Sequence, residues 1–208
     1  MTVSELLIKH KIVAIIRGAR PGDVINIVHA LLAGGIYAVE ITLNSDNALQ
    51  VIKELAHTVK DDVLVGAGTV LNASAALAAI DAGAKFIISP SFDAETISVT
   101  KARAVVSIPG AYTATEIVKA YEAGADIVKV FPASSPQYIK DIRGPLSHIP
   151  LMPTGGVNIS NIRAFREAGA VAFGIGSSLV DSRQAVTKDY LVQLSGIAAE
   201  FVKAIGSK

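Results

Sequence analysis

The segment Glu122-Ala-Gly-Ala-Asp-Ile-Val-Lys-Val-Phe-Pro-Ala133 contains the end of a helix and the whole of a buried strand. Its Ala-Gly pair is typical of a helix C-terminus, where glycine adopts a left-handed backbone conformation without steric cost. The apolar run that follows, from Ile127 to Phe131, indicates a strand that is covered on both faces, as in parallel sheets. Lys129 lies in the middle of this run, where a charged amine either lowers the stability of the fold or has a function.

The same kind of junction recurs along the chain, each time between a helical pattern and a β-branched run. The other junctions are Ala33-Gly-Gly35, Asp81-Ala-Gly-Ala84 and Glu167-Ala-Gly-Ala170. The candidate strands are Ile12–Ile16, Tyr37–Thr42, Val63–Gly66, Phe86–Ser89, Ala104–Ile108, Ile127–Phe131, Ile149–Met152 and Val171–Ile175. Because helical patterns alternate with these strands, the strands are predicted to be parallel.

Eight βα units fit the chain, since its 208 residues allow each unit a strand, a helix and two short loops. Eight such units can close into a barrel, which leaves no exposed sheet edge. The alternative is an open doubly wound sheet, but Ile16-Arg-Gly-Ala-Arg-Pro-Gly22 lacks the Gly-x-Gly-x-x-Gly turn typical of that fold. We therefore predict an α/β fold, a (β/α)8 TIM barrel with a short extra helix at Met1–Lys9, in a single domain over residues 1–208.

The composition limits the partners of this protein. Hydrophobic residues make up 51% of the chain and charged residues 18%, which is typical of a globular protein, and the net charge is +1. The sequence has no basic cluster with interleaved aromatic residues, which would be typical of a nucleic-acid surface. Small-molecule partners are therefore expected. The chain has no cysteine and no apolar run of membrane-spanning length, and its N-terminus lacks the pattern of a signal peptide. A cytoplasmic location with no membrane contact is therefore the expectation.

Polar residues fall at the carboxyl ends of several predicted strands, where the active sites of barrels lie. Arg17 closes the first strand, Glu40 lies on the second, Thr69 follows the third and Lys129 lies on the sixth. Since side chains two residues apart share a face, Glu40 and Lys129 share one interior if both point inward. The alternative is that Glu40 and Lys129 form a structural ion pair or project between the strands and the helices, but a buried pair is costly unless every donor and acceptor is satisfied.

Two glycine-containing turns indicate an anion site. Pro153-Thr-Gly-Gly-Val-Asn158 ends the seventh strand, and Gly174-Ile-Gly-Ser-Ser-Leu-Val180 ends the eighth. Glycines let backbone N–H groups approach an anion, and barrels often bind phosphate between these two strands. The alternative is that the glycines only form tight turns. The four histidines show no metal-ligand spacing, so no metal site is predicted.

With these motifs in place, the chain resembles the class I aldolases that cleave 2-keto-3-deoxy-6-phosphogluconate (KDPG) and, in many members, 4-hydroxy-2-oxoglutarate (KHG). The resemblance runs nearly end to end. Its motifs are Ile12-Val-Ala-Ile-Ile-Arg17, Val39-Glu-Ile-Thr42, Gly66-Ala-Gly-Thr-Val70, Ile88-Ser-Pro90, Val128-Lys-Val-Phe-Pro132, Pro153-Thr-Gly-Gly156 and Gly176-Ser177. It implies a (β/α)8 barrel, commonly a homotrimer, that needs no cofactor.

The resemblance also implies roles for individual residues. Lys129 would form a Schiff base with the substrate, and Glu40 would be the general acid and base. The implied substrate-binding residues are Arg17, Thr69, Pro90, Phe131, Thr154, Gly155, Gly156, Gly176 and Ser177. The implied reaction cleaves KDPG to pyruvate and glyceraldehyde 3-phosphate, and KHG to pyruvate and glyoxylate.

One departure from the family pattern concerns the substrate. Several gluconate-specific members have an arginine where this chain has Asn44, and Leu43-Asn-Ser45 and Pro136-Gln-Tyr-Ile-Lys140 resemble aldolases of 2-keto-3-deoxy-6-phosphogalactonate. Thr154 and Arg143-Gly-Pro145 instead fit the gluconate branch. The galactonate epimer is therefore the nearest alternative substrate. Two further alternatives are a phosphate-binding barrel isomerase or epimerase and a non-catalytic barrel that binds metabolites.

Overall fold

The computed structural model describes residues 1–60 and 62–206, in which helices alternate with strands except where β6 directly follows β5. The helices are α1 (Val3–His10), α2 (Pro21–Ala33), α3 (Ala48–Val59), α4 (Ala73–Asp81), α5 (Ala94–Ala102), α6 (Ala114–Glu122), α7 (Pro136–Arg143), α8 (Ile162–Glu167) and α9 (Lys188–Ile205). The strands are β1 (Ile12–Ile16), β2 (Ala38–Thr42), β3 (Leu64–Gly68), β4 (Phe86–Ile88), β5 (Val106–Ile108), β6 (Gly110–Ala111), β7 (Val128–Val130), β8 (Leu151–Pro153) and β9 (Phe173–Ile175).

The strands form curled parallel sheets. Six of them pair in the order β5-β4-β3-β2-β1-β9, and three more pair in the order β6-β7-β8. Every pairing in both ladders is parallel. Each predicted strand overlaps an observed one, so the predicted alternation of helices with parallel strands is confirmed.

The described residues form nine strands rather than the predicted eight, because the predicted fifth strand, Ala104–Ile108, is followed at once by the unpredicted short strand β6. Pro109 separates β5 from β6 and has no N–H group to donate to a ladder. Strand β5 begins at Val106 rather than at the predicted Ala104, since Ala104 has a left-handed backbone with φ of 55°. The two sheets are connected by a parallel bridge between Thr154 and Gly174.

The curled sheets have two apolar sides. Val39 and Ile41 on β2 belong to the larger cluster of buried residues, which includes residues of the helices. Ala38 on the same strand belongs to a smaller cluster on the concave face, because successive side chains alternate between faces. The buried members of this concave cluster are Leu7, Val13, Ala38, Phe86, Ile88, Val106, Ile108, Ile127, Met152 and Ala172.

The Ala-Gly junctions take the predicted backbone conformation. Gly83, Gly124 and Gly169 follow helices α4, α6 and α8 with φ of 109°, 104° and 99°. At each junction the next residue donates its N–H group back to the last turn of the helix, as Ala125 does to the Ala120 carbonyl at 3.1 Å. Glycine therefore allows each helix to end sharply and the chain to enter the next strand.

Helix α1 closes the amino-terminal end of the concave face. It begins with a capping box, in which the Thr2 hydroxyl and the Glu5 carboxylate each accept a backbone N–H group. Leu7 is only 1% exposed and packs into the concave cluster. The predicted extra N-terminal helix is thus confirmed, and it ends at His10. Within residues 1–60 and 62–206, no helix has both the length and the apolar character needed to cross a membrane.

Candidate active site

A cavity of about 580 Å³ opens at the carboxyl ends of the strands. It is lined by every substrate-binding residue expected from the sequence and by Lys129, whereas Glu40 lies beneath its surface. Five further lining residues had no individual role assigned from the sequence, although all except Ile15 lie in the two predicted glycine turns. These are Ile15, Val157, Asn158, Gly174 and Ser178.

Lys129 lies at the centre of β7 with its side chain in the cavity. Its neighbours Val128 and Val130 pack on the helix side of the sheet, so strand alternation directs Lys129 to the concave side. The residue is 5% exposed, and burial lowers the pKa of its amine, while Glu40 acts in the opposite direction and Arg17 reinforces the decrease. The Nζ atom lies 5.1 Å from the centre of the Phe131 ring. The site therefore favours the neutral, nucleophilic form of this lysine.

Glu40 lies on β2, fully buried on the same concave side. Within the described part of the chain, neither of its carboxyl oxygens has a hydrogen-bond partner, so Glu40 and Lys129 form no hydrogen-bonded ion pair there. Burial raises the pKa of Glu40, although Lys129 and Arg17 both act to lower it. A buried carboxyl group with a raised pKa and free oxygens is suited to donating and accepting protons.

Gly68, at the end of β3, makes the room that Glu40 occupies. A Cβ atom at position 68 would lie 1.7 Å from Oε1 of Glu40, which is far inside contact distance. The cause is the register of the two strands, in which Thr42 of β2 pairs with Gly68. The last glycine of the Gly-Ala-Gly sequence before Thr69 therefore leaves space beneath the cavity for the Glu40 side chain.

Arg17 lies at the mouth of the cavity, directly after β1, and is held by the loop that follows β2. Its Nη1 group donates a hydrogen bond of 3.0 Å to Oδ1 of Asn44. The next residue, Gly18, donates its backbone N–H group to the Ser45 hydroxyl at 2.8 Å. The Ser45 hydroxyl is also 2.9 Å from the hydroxyl of Thr42, which is buried. These bonds connect the β1 and β2 loops at an arginine that lines the cavity.

Thr69 and Pro90 form another part of the cavity wall. Thr69 has a left-handed backbone with φ of 55°, which is uncommon for a residue with a branched Cβ. The next residue, Val70, donates its N–H group to the carbonyl of Ile88 at 3.2 Å. The turn after β3 is therefore tied to the end of β4, and Thr69 is presented to the cavity.

The glycine turn after β8 forms one side of the cavity. Gly155 and Gly156 both have left-handed backbones, with φ of 80° and 78°. Asn161 donates its side-chain amide to the carbonyl of Gly156 at 2.8 Å and accepts the N–H group of Asn158 at 2.8 Å. The Gly156 carbonyl is thus bonded to Asn161, and the turn is braced from the following helix. Asn161 was not expected from the sequence, although asparagine is a preferred residue directly before a helix.

The second glycine turn, after β9, lies beside the first. The Ser178 hydroxyl donates to the carbonyl of Val157 at 2.9 Å, which joins the two turns. Ser177 and Gly176 line the same cavity, and Ser177 is exposed. The structure therefore brings together the two turns that the sequence singled out as a candidate phosphate site.

Thr154 lies at the base of these turns, and its hydroxyl has no hydrogen-bond partner among the described residues. It is 4% exposed but lines the cavity. A Cβ atom at Gly174 would lie 2.3 Å from Oγ1 of Thr154, so the glycine makes room for this hydroxyl. A buried polar group without a partner is costly, and a ligand hydroxyl or oxyanion in the cavity would satisfy it.

Several known proteins with similar sequences are named as aldolases. The family model for KDPG and KHG aldolase matches residues 3–194. The chain is 37% identical over 199 residues to the 2-dehydro-3-deoxy-6-phosphogalactonate aldolase of Escherichia coli K12, which covers 94% of this chain and 95% of that protein. It is 34% identical over 163 residues to the 2-dehydro-3-deoxy-phosphogluconate aldolase of Pseudomonas aeruginosa, which covers 77% of this chain and 74% of that protein.

A solved structure also resembles this fold. The KDPG aldolase of Legionella pneumophila, with pyruvate captured at low pH as a covalent carbinolamine intermediate, has a TM-score of 0.84 and 26% identity. The match covers 95% of this chain and 97% of that one. Since the family match spans almost the whole chain and the relatives cleave carbon–carbon bonds, this protein belongs to the KDPG and KHG aldolase family of carbon–carbon lyases.

Proposed function

We propose that this protein is a class I aldolase that cleaves KDPG to pyruvate and glyceraldehyde 3-phosphate. It also cleaves KHG to pyruvate and glyoxylate, since both substrates are 2-keto acids with a hydroxyl group at C4. The observation that carries the proposal is the placement of two buried groups, the Lys129 amine and the Glu40 carboxyl, on one concave face at a cavity. No metal or cofactor takes part, because the lysine itself supplies the electron sink.

The first step is attack of the neutral Lys129 Nζ on C2 of the substrate. The new C–N bond gives a carbinolamine, and Glu40 donates a proton to its hydroxyl group, which leaves as water. A protonated imine and a Glu40 carboxylate result. The lowered pKa of Lys129 and the raised pKa of Glu40 both favour the starting protonation states for this step. The carbinolamine captured in the Legionella relative supports the same intermediate here.

The second step breaks the C3–C4 bond. The Glu40 carboxylate, directly or through a water molecule, removes the proton of the C4 hydroxyl group, which becomes the aldehyde carbonyl. The electrons of the C3–C4 bond form the C2–C3 double bond of an enamine and neutralise the imine nitrogen. Protonated Glu40 then returns a proton to C3, and water hydrolyses the imine to release pyruvate.

The remaining cavity residues hold the anionic groups of the substrate. Arg17 and Thr69 orient it at the mouth, and Pro90 and Phe131 shape the pocket. The glycine turns bind the phosphate through backbone N–H groups and hydroxyls, and this remote binding energy fixes C2 against the lysine. The residues assigned to phosphate are Thr154, Gly155, Gly156, Gly176 and Ser177.

A second candidate is cleavage of 2-keto-3-deoxy-6-phosphogalactonate by the same chemistry. It is favoured by Asn44 in the β2 loop and by the 37% identity to the Escherichia coli galactonate enzyme. The two substrates differ at one hydroxyl centre. Thr154 and Arg143-Gly-Pro145, which resemble the gluconate branch of the family, favour the gluconate substrate.

We also propose that the two sheets complete a closed (β/α)8 barrel within a single domain over residues 1–208. The bridge between Thr154 and Gly174 supports closure, as does the hydrogen bond of 2.9 Å from the Lys129 N–H group to the Pro109 carbonyl. In keeping with the family resemblance, the protein assembles as a homotrimer. Light scattering should give three times the monomer mass, and a monomer at micromolar concentration would contradict this.

Two experiments test the proposed function. Coupled assays with KDPG, its galactonate epimer and KHG, run side by side, should give the highest kcat/KM with KDPG. Incubation with pyruvate and borohydride should add one pyruvyl group to Lys129, detectable by mass spectrometry and peptide mapping. An unchanged mass would instead favour an isomerase or epimerase in which Glu40 abstracts a proton. Binding of phosphorylated acids with neither turnover nor adduct would indicate a non-catalytic barrel.

A further inference from the structure

The strongest unexplained feature of the cavity is the way Arg17 is held. Its guanidinium donates to the side-chain carbonyl of Asn44 at 3.0 Å, and the adjacent Gly18 N–H group donates to Ser45 at 2.8 Å. Ser45 is in turn close to the buried hydroxyl of Thr42. The β2 loop therefore anchors both the side chain of Arg17 and the backbone that follows it. The first bond restricts the guanidinium, and the second restricts the backbone next to it.

The chemistry of the acceptor is as informative as its position. An amide carbonyl accepts the hydrogen bond but carries no charge, so the positive charge of Arg17 is not neutralised by Asn44. An aspartate of the same shape would form an ion pair and offset that charge. Arg17 is close enough to the reacting groups to act on both, since its charge lowers the pKa of Glu40 and of Lys129. Its charge is therefore available to the cavity.

We propose that Asn44 is a positioning residue, which holds the Arg17 guanidinium at the cavity mouth through a neutral acceptor and so keeps its full charge for the anionic substrate. The proposal rests on the proposed function, in which the substrate carries a carboxylate and a phosphate. An arginine at position 44 would bind an anion itself, whereas Asn44 acts through Arg17. In this chain Arg17 alone would then bind the anion, whereas a chain with arginine at position 44 would have two cations at the site.

The decisive variant is Asn44→Asp, which keeps the shape of the side chain and changes its charge. We expect KM for the cleaved phosphorylated substrate to rise about 10-fold, a change typical of losing one charge-assisted hydrogen bond, with kcat changed much less. Asn44→Ala should raise KM by a smaller factor, because Arg17 keeps its charge but loses its anchor. Asn26→Asp is the matched control, since Asn26 is exposed on α2 and does not line the cavity. It should leave KM unchanged.

A double-mutant cycle separates positioning from general damage. In an Arg17→Ala background, Asn44→Asp and Asn44→Ala should each change KM by less than about 2-fold, because the group they act through is absent. If either variant keeps its full effect in that background, Asn44 does not act through Arg17 and the proposal is wrong. If Asn44→Asp behaves like Asn26→Asp, the proposal is equally wrong.

A pH profile gives an independent readout. The charged groups that act on Lys129 are Glu40 on β2 and Arg17 after β1. Pairing Arg17 with an aspartate weakens its lowering effect on the pKa of Lys129, so the acid limb of kcat/KM should move to higher pH in Asn44→Asp only. If the acid limb of the kcat/KM profile stayed at the same pH in Asn44→Asp, the claim that the Arg17 charge is uncompensated would be wrong.

Failure of this proposal can be distinguished from failure of the proposed function. Trapping of pyruvate on Lys129 by borohydride should succeed in the wild type, in Asn44→Asp and in Asn44→Ala. No adduct in the wild type would overturn the aldolase mechanism, and with it the basis of this inference. An adduct in all three proteins with unchanged KM values would overturn only the role of Asn44.

Discussion

The two ends of the concave face are built by the same strands from opposite kinds of side chain. On β2 the inward residue near the amino end is Ala38 and the next inward residue is Glu40, and around β7 the order is Ile127 and then Lys129. The first layer is apolar and packed beneath α1, whereas the second contains buried polar groups, and both Glu40 oxygens lack partners among the described residues. On β2 and β7, the residue that packs in the apolar layer and the candidate reacting group are one inward step apart, so substitutions can change stability and reactivity separately.

The largest effect should come from Lys129→Ala. Turnover should fall by about 10⁴-fold or more, as expected for loss of a covalent nucleophile, while the circular dichroism spectrum stays native. Steady-state assay and borohydride trapping are the measurements. Retention of wild-type activity would exclude the imine mechanism.

Glu40→Gln should have the next largest effect. The amide keeps the shape but transfers no proton, so kcat should fall by about 10²–10⁴-fold with KM little changed. Substrate-saturation curves measure the two constants separately. A change confined to KM would reassign Glu40 from proton transfer to binding.

Ile127→Ala probes the apolar layer two residues before the lysine. Ile127 is completely buried, so truncation should lower the free energy of unfolding by about 2–5 kcal/mol, measured by urea denaturation. The pyruvyl adduct should still form at low temperature, where the fold persists. Lys129→Met is the matched comparison, because it should lose the adduct while retaining stability. If Ile127→Ala destroyed adduct formation in a folded protein, the two layers would not be separable.

The smallest effect should be a dependence of stability on pH. In a Lys129→Met background, where the main charged neighbour is gone, we compare the protein that retains Glu40 with the double variant that also carries Glu40→Gln. Burial raises the pKa of Glu40 in the folded state, so the folded protein binds more protons than the unfolded chain above pH 4.5. The protein that retains Glu40 should therefore lose stability relative to the double variant as pH rises from 4.5 to the folded pKa, at no more than about 1.4 kcal/mol per pH unit. If the free energies of unfolding of the two proteins, measured by urea denaturation, changed equally with pH, this prediction would be wrong.

Much of the fold was predictable because it depends on local rules. The Ala-Gly junctions predicted helix ends, and residues such as Gly124 have the expected left-handed conformation. The β-branched runs predicted the parallel strands, whereas they left the direction of Lys129 open, because its strand is apolar on both faces. The end of the fifth strand at Ile108 was predicted correctly, and Pro109 explains it, since proline has no N–H group to donate to the ladder; the short strand β6 beyond Pro109 was not predicted.

The parts of the site that sequence reasoning missed depend on contacts between distant segments. The hydrogen bond from Arg17 to Asn44 joins residues 27 positions apart, and the room that Gly68 leaves for Glu40 depends on the register of β2 and β3. Periodicity gives the face of a side chain but not its partner on the next strand. The brace from Asn161 to Gly156 is closer in sequence, yet its geometry depends on the conformation of two consecutive glycines.

By closing one end of the concave face, helix α1 determines the order in which products leave. Because Leu7 and the apolar layer fill the amino end of the concave face, molecules enter and leave the reacting groups from the carboxyl end. In the proposed mechanism, pyruvate would remain bonded to Lys129 after cleavage, and the aldehyde would occupy the part of the cavity nearer the opening, through which water must come. The aldehyde should therefore depart first and pyruvate last, so that in the reverse direction pyruvate is the obligatory first reactant.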